Sequence, residues 1–210
     1  MGRLEAKESR RVQLIEATID SLAKRGFSEF TLADVAREAR LSQGIVNFYF
    51  RSKETLLTET LKFMAAEYEQ FWTAAVRRAG PRPAEKLAAM IAADFDPVIA
   101  SRKKVTVWYA FWGEARWRPE YLRVCQALSE SYFAETRVLC QEIVETGGYD
   151  AIEADTVARG LNAMVDGLWL DILTSPTAID RKGAKRTCLA LLAAVFPREF
   201  AQHLAASHAA

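Results

Sequence analysis

Apolar residues recur at helical spacing along nearly the whole chain, and no segment alternates in the two-residue rhythm of a half-buried strand. Between about Lys7 and Arg25, Val12, Ile15, Ile19 and Leu22 form one stripe, and Gly26 follows where a helix C-cap favours glycine. Thr31 opens a short helix as its N-cap, with Asp34 in the capping-box position and Leu32, Val35, Ala36 and Ala39 on the inward face. Only Arg40 and Leu41 separate it from a third short helix, capped by Ser42 and running to about Tyr49. A long helix is predicted from about Lys53, with Leu57, Leu61, Met64, Tyr68 and Phe71 or Trp72 on one side, stopped by Gly80, Pro81 and Pro83. Five more helices are predicted over about 84–96, closed by Pro97; 102–117, before Pro119; 119–146, ended by Gly147 and Gly148; 152–173, before Pro176; and 180–196, before Pro197. The pattern therefore predicts an all-α chain of about nine helices, a three-helix head and a helical body sharing the long fourth helix.

Composition narrows what such a bundle can do. With 210 residues, half of them hydrophobic, the chain can bury one large or two small cores. No apolar run approaches the ~20 residues of a membrane span, and the charged start "MGRLEAKESRR" is followed by no signal-peptide core. Cys125, Cys140 and Cys188 are odd in number and far apart, which fits reduced thiols in a cytoplasm. The net charge of +1 divides into +3 over residues 1–53 and −2 over the rest, a bias that suits a head meeting a polyanion. The only histidines, His203 and His208, lie in an Ala-rich tail, which excludes a histidine base or zinc site elsewhere. No GxSxG, GxxxxGK[ST] or GxGxxG motif is present, so no catalytic residue, metal or resident cofactor is expected. What stays open on the enzyme side is acid–base work by Asp94, Asp96, Glu114 or Asp166, and a helical interaction module remains a third reading.

Two short helices joined by a tight turn after a bracing helix make a helix-turn-helix, whose second helix enters the DNA major groove. In "SQGIVNFYFRSK", residues 42–53, Gln43 and Asn47 lie at i and i+4, and each amide can pair bidentately with adenine. Gly44 allows close backbone approach, while Phe48 either packs inward or joins the reading face. The hydroxyls of Thr31, Ser42 and Tyr49 and the ammonium of Lys53 suit phosphate contacts that position without specifying.

The stretch "FTLADVAREARLSQGIVNFYFRSKETLL", residues 30–57, resembles the DNA-binding signature of the TetR family, matching at Thr31, Ala36, Ala39, Ser42, Gly44, Tyr49, Phe50, Ser52, Lys53 and Leu56. Arg40 stands where the family usually has glycine; a left-handed conformation there would cost roughly 1 kcal/mol. Asn47 and Phe48 replace a commoner Tyr-His pair, which alters the base-reading face. The resemblance implies a DNA-binding domain over 8–68 with its motif at 31–50, a ligand-binding and dimerisation domain over 69–210, a homodimer and a palindromic double-stranded operator. It also implies a transcriptional repressor without membrane partner, controlled by a small-molecule effector.

The blocks "DFDPV", "VWYAFW" and "LNAMVDGLWL" are similar to those of choline-sensing members of that family, which implies choline or a related quaternary ammonium as effector, with another cationic or hydrophobic effector as the alternative. Quaternary ammonium has no N–H to donate, so a protein holds it with ring faces and carboxylates. Trp108 and Trp112 lie one turn apart with Phe111 beside them, Tyr109 lies partly on a second side, and Asp94, Asp96, Asp166 and Trp169 supply acids and a further ring. The competing reading is core packing, above all for Tyr109, Phe111 and Trp117. Stripes at Val157, Leu161, Met164, Leu168 and Ile172, and at Leu189, Leu192, Val195 and Phe196, are expected to meet a second copy, with Gly160, Ala163 and Gly167 permitting close approach.

Overall fold

The computed structural model describes residues 2–175 and 177–209. Among them are ten α-helices: α1 (Arg3–Glu29), α2 (Leu32–Glu38), α3 (Gln43–Tyr49), α4 (Lys53–Arg78), α5 (Pro83–Asp94), α6 (Arg102–Ala115), α7 (Pro119–Gly147), α8 (Ala154–Thr174), α9 (Arg181–Val195) and α10 (Pro197–Ala209). Pro176, expected to stop the eighth helix, and the side chain of His208 lie outside the described residues.

The helix beyond Pro197 was not foreseen from the pattern. Proline lacks an amide proton, so it ends one helix, but its fixed φ also suits the first position of the next. Pro197 does both, and Phe200 of α10 is fully buried beside Phe196. At the other end, Gly26 does not close the first helix as expected: it takes φ 73° and ψ 177° inside α1, kinking it, and the helix runs on to Glu29.

The chain forms two compact units, one of residues up to Glu67 together with Thr106–Gln126, the other of Tyr68–Val105 and the chain from Ala127 onward. The first packs α1 on α2 and α2 on α3. Its core contains Leu14, Ile15, Ile19 and Leu22 of α1, Val35 of α2, Val46 of α3, and Leu56, Leu57 and Leu61 of α4, all buried. At about 1.5–3 kcal/mol per fully buried aliphatic side chain, such a core holds short helices that would not persist alone. The aromatic stretch of α6 belongs to this unit, where Phe111 meets Phe27 and Tyr121 edge to face at 5.3 and 5.4 Å.

The second unit packs α8 on α9, α5 on α9, and α10 on α5 and α9. This corrects the expectation for the late helices. Leu161, Leu168 and Ile172 of α8, with Leu189, Leu192 and Phe196, are buried within the single chain and need no second copy as cover. The opposite side of α8 is exposed instead, at Gly160, Ala163, Gly167 and Leu170. Trp117 is also no core residue: it is 74% exposed, with the Arg116 guanidinium over its ring at 5.2 Å.

Candidate functional site

The reading head is built by two caps. The hydroxyl of Thr31 accepts from the Asp34 amide at 3.2 Å and the Thr31 amide donates to the Asp34 carboxylate at 3.0 Å, closing the expected capping box, while that hydroxyl also donates to the carboxylate at 2.6 Å. That hydroxyl is the chief cause holding the Asp34 carboxyl below its usual range, with Arg37 and Arg25 adding to it. At the far end of α2, Arg40 adopts φ 55°. Its amide donates to the Arg37 carbonyl and that of Leu41 to the Ala36 carbonyl, the paired bonds of a Schellman turn. A non-glycine residue in this conformation costs roughly 1 kcal/mol. Gln13 of α1 fastens the turn by donating to the Ala39 carbonyl at 2.9 Å.

Helix α3 buries one residue, Val46. Gln43, Gly44, Ile45, Asn47 and Phe48 face solvent, Phe48 at 74% exposure, so it does not pack inward. Its ring meets that of half-buried Tyr49 edge to face at 5.3 Å. Ser42 sits at the N-cap position but makes no side-chain capping bond; only its carbonyl serves the helix, which corrects the expected hydroxyl cap. Nothing in the protein requires the glycine at 44, since a Cβ there would meet only the Ser42 Oγ at 3.8 Å. Lys53 is less free than the sequence suggested: half-buried, it donates to the Phe30 carbonyl and lies over the Phe30 ring at 4.9 Å. Lys7, Glu8 and Arg11 of α1 share a surface cleft of about 410 Å³ with Phe48 and Tyr49.

In the second unit an acid is buried among rings. Asp94, at the end of α5, is fully buried, and its carboxylate accepts from the Tyr68 hydroxyl at 2.7 Å and from the Tyr132 hydroxyl. The Tyr68 and Tyr132 rings stack at 5.9 Å; Trp169 tilts against Tyr68 at 5.6 Å and Trp72 meets Tyr132 edge-on at 5.8 Å. The Trp169 Nε1–H donates to the Asp94 carbonyl at 2.9 Å, fixing the end of α5 to α8. Burial is the chief cause that raises the Asp94 carboxyl to about 7, with Asp166 adding to it and the two hydroxyl bonds opposing it. The Asp166 carboxyl is itself raised to about 6 by desolvation, although the residue is more than a third exposed. Among the described residues the buried Trp72 Nε1–H has no hydrogen-bond acceptor.

The site residues read from the sequence therefore divide. Trp169 joins the Asp94 cluster, and Asp166 acts on it through charge. Asp96 serves its own turn, accepting from the Val98 amide at 2.8 Å. Trp108, Trp112 and Tyr109 lie in the first unit, Trp108 buried and 6.0 Å from Trp112, Tyr109 edge-on to Trp112 at 4.9 Å. Tyr132 was not singled out at all, and Tyr68 and Trp72 were read only as a packing stripe. Their i, i+4 aromatic spacing on α4 was the available signal.

Comparison with known proteins matches two stretches of the chain. The family of bacterial regulatory proteins of the tetR type matches residues 14–60, and a BetI-type transcriptional repressor C-terminal domain matches 83–197. The HTH-type transcriptional regulator BetI of Paraburkholderia xenovorans (strain LB400) is 34% identical over 187 residues, 89% of this chain and 93% of the relative. The protein of the same name from Paraburkholderia phymatum is 35% identical over 189 residues, 89% of this chain and 92% of the relative. Among solved structures, a transcriptional regulator from Pseudomonas aeruginosa PAO1 superposes with a TM-score of 0.79 at 26% identity, covering 92% of this chain and 94% of that one. A regulator from Saccharomonospora viridis in complex with choline gives 0.77 at 19% identity, covering 88% and 96%, a likeness of fold alone. These relatives are regulators and not enzymes, which removes catalytic acid–base roles from Asp94, Asp96, Glu114 and Asp166. With its helix-turn-helix head and BetI-type C-terminal region, the chain belongs to the TetR family of transcriptional regulators.

Proposed function

We propose that this protein represses transcription as a homodimer on a palindromic operator, and that choline or betaine aldehyde releases it, in control of glycine betaine synthesis from choline. The observation that carries the effector is the buried Asp94 carboxylate walled by Tyr68, Trp72, Tyr132 and Trp169. One carboxylate and several ring faces are what a cation without N–H donors requires. The Trp72 indole N–H suits the oxygen that choline and betaine aldehyde also carry. This supports an effector site in the second unit, with Trp108, Trp112 and Tyr109 read as ring packing on α6.

On DNA, Gln43 and Asn47 read adenine edges, Gly44 lets the backbone of α3 approach, and Thr31, Ser42, Tyr49 and Lys53 position phosphates. The exposed side of α8 carries the small residues Gly160, Ala163 and Gly167 and the apolar Leu170, which support close packing of a second copy. A bound cation would favour an arrangement that spaces the two α3 helices wrongly for successive major grooves.

The test is capture of genomic fragments by the purified protein with and without choline, followed by sequencing. Enrichment upstream of betaine synthesis or transport genes, lost with choline, is expected. Enrichment that choline leaves unchanged would replace choline with another effector. The response of Trp112→Leu beside Asp94→Asn shows which ring set holds the ligand.

A further inference from the structure

The seven residues of α3, "QGIVNFY", contain no Arg or Lys. Those side chains make the commonest specific contact to guanine, bidentate to O6 and N7. In their place α3 exposes two amides, Gln43 and Asn47, and two apolar ends, Ile45 at 37% and Phe48 at 74% exposure. Of the seven large hydrophobics exposed among the described residues, two fall on this one short helix. Their i, i+3 spacing sets them side by side, and the edge-on contact with Tyr49 gives the Phe48 ring a fixed direction. The nearest cations past the helix, Arg51 and Lys53, lie beyond its C-terminal end, and Lys53 is engaged by the Phe30 carbonyl.

The major groove offers one apolar group, the C5-methyl of thymine, and it lies on the same base pair as the adenine edge that Gln and Asn amides recognise. We infer that the half-site facing α3 is built of A·T pairs, with Phe48 and Ile45 seated on thymine methyls and Gln43 and Asn47 on adenines. This rests on the proposed reading of α3 as the groove helix, and it adds what that helix selects. Specificity then comes from apolar contact and amide pairing together, and a G·C pair fails on both counts.

The experiment is selection from randomised duplexes with the full-length protein, followed by affinity measurements on the selected duplex with each thymine replaced in turn by uracil. That exchange removes the methyl and leaves the pairing edge intact. Selected half-sites are expected to carry A·T pairs opposite α3, and uracil at the sensitive positions to weaken wild-type binding about three- to five-fold each. Phe48→Ala and Ile45→Ala, both at exposed positions, should bind more weakly and each lose the uracil effect at one position. G·C pairs across the α3-facing positions, or wild-type indifference to every uracil, would overturn the inference while leaving DNA recognition standing. Failure to enrich any duplex would overturn both.

Discussion

The exposed helix α3 and the buried cluster around Asp94 both concentrate polar and aromatic groups, in opposite ways. On α3 the groups face outward, and the protein itself explains almost none of them: Gly44 has open space around it, Phe48 is bared to water, and Val46 alone packs inward. Around Asp94 nearly every polar atom is satisfied by a neighbour, and the unmatched donor, Trp72 Nε1, is the exception. An outward set unexplained by the fold points to a macromolecular surface. An inward set that keeps a carboxylate under rings against its desolvation cost points to a small cation.

The sharpest way to break this contrast is Asp94→Asn. The variant keeps the shape of the cluster and removes its charge, so choline affinity should fall by roughly 30- to 1,000-fold, as when one member of a buried charge pair is lost. Calorimetry measures it, and Trp112→Leu serves as the control expected to bind within a few-fold of wild type.

The same residue links stability to pH. Its carboxyl is raised from 3.8 to about 7, so between those values the folded state holds a proton that the unfolded state releases. This stabilisation is complete below about pH 4 and is lost as pH rises through 7, and Asp166, raised to about 6, acts in the same sense. Thermal melts should therefore show wild type losing on the order of 2–4 kcal/mol between pH 4 and 8, beyond what Asp94→Asn loses. Choline affinity should move the other way, rising with pH as the carboxylate forms.

On the outward side, Gln43→Ala or Asn47→Ala should cost ~1–3 kcal/mol in discrimination between operator and random DNA, read by competition binding, with little loss of fold. Gly44→Ala separates the two regions further. With no neighbour to strike, the new methyl should raise thermal stability by roughly 0.5–1 kcal/mol through helix propensity while weakening operator binding. Smallest in its effect on DNA is Arg40→Gly, which relieves the left-handed strain by about 1 kcal/mol and should leave DNA affinity unchanged.

The contrast also sets how legible each region was in the sequence. The head is a contiguous motif whose caps, turn and spacing are local, and so the Thr31–Asp34 box, the Gly26 break and the left-handed Arg40 could all be anticipated. Lys53 shows where local reading stops, because its bond to the Phe30 carbonyl spans 23 residues that periodicity does not connect. The buried cluster draws on residues 68, 72, 94, 132 and 169 from four helices. No spacing rule joins them, so the acid at 94 could not be preferred over the one at 96, two residues away, which serves a turn. The tryptophan-rich run over 107–117 stands out by density alone, yet Phe111 of α6 is core and Trp117, past the end of that helix, is surface. Density of one residue type marks a place to look; a buried charge among rings marks a place to test.

The central claim is that the inward set governs the outward one. It is tested most directly by the fluorescence anisotropy of a labelled operator duplex, titrated with protein at saturating choline and without it, for wild type and Asp94→Asn at pH 8. The account expects choline to weaken wild-type operator binding at least ten-fold and to leave the variant unchanged. Operator affinity unmoved by choline in a wild-type protein that calorimetry shows to be choline-bound would contradict it.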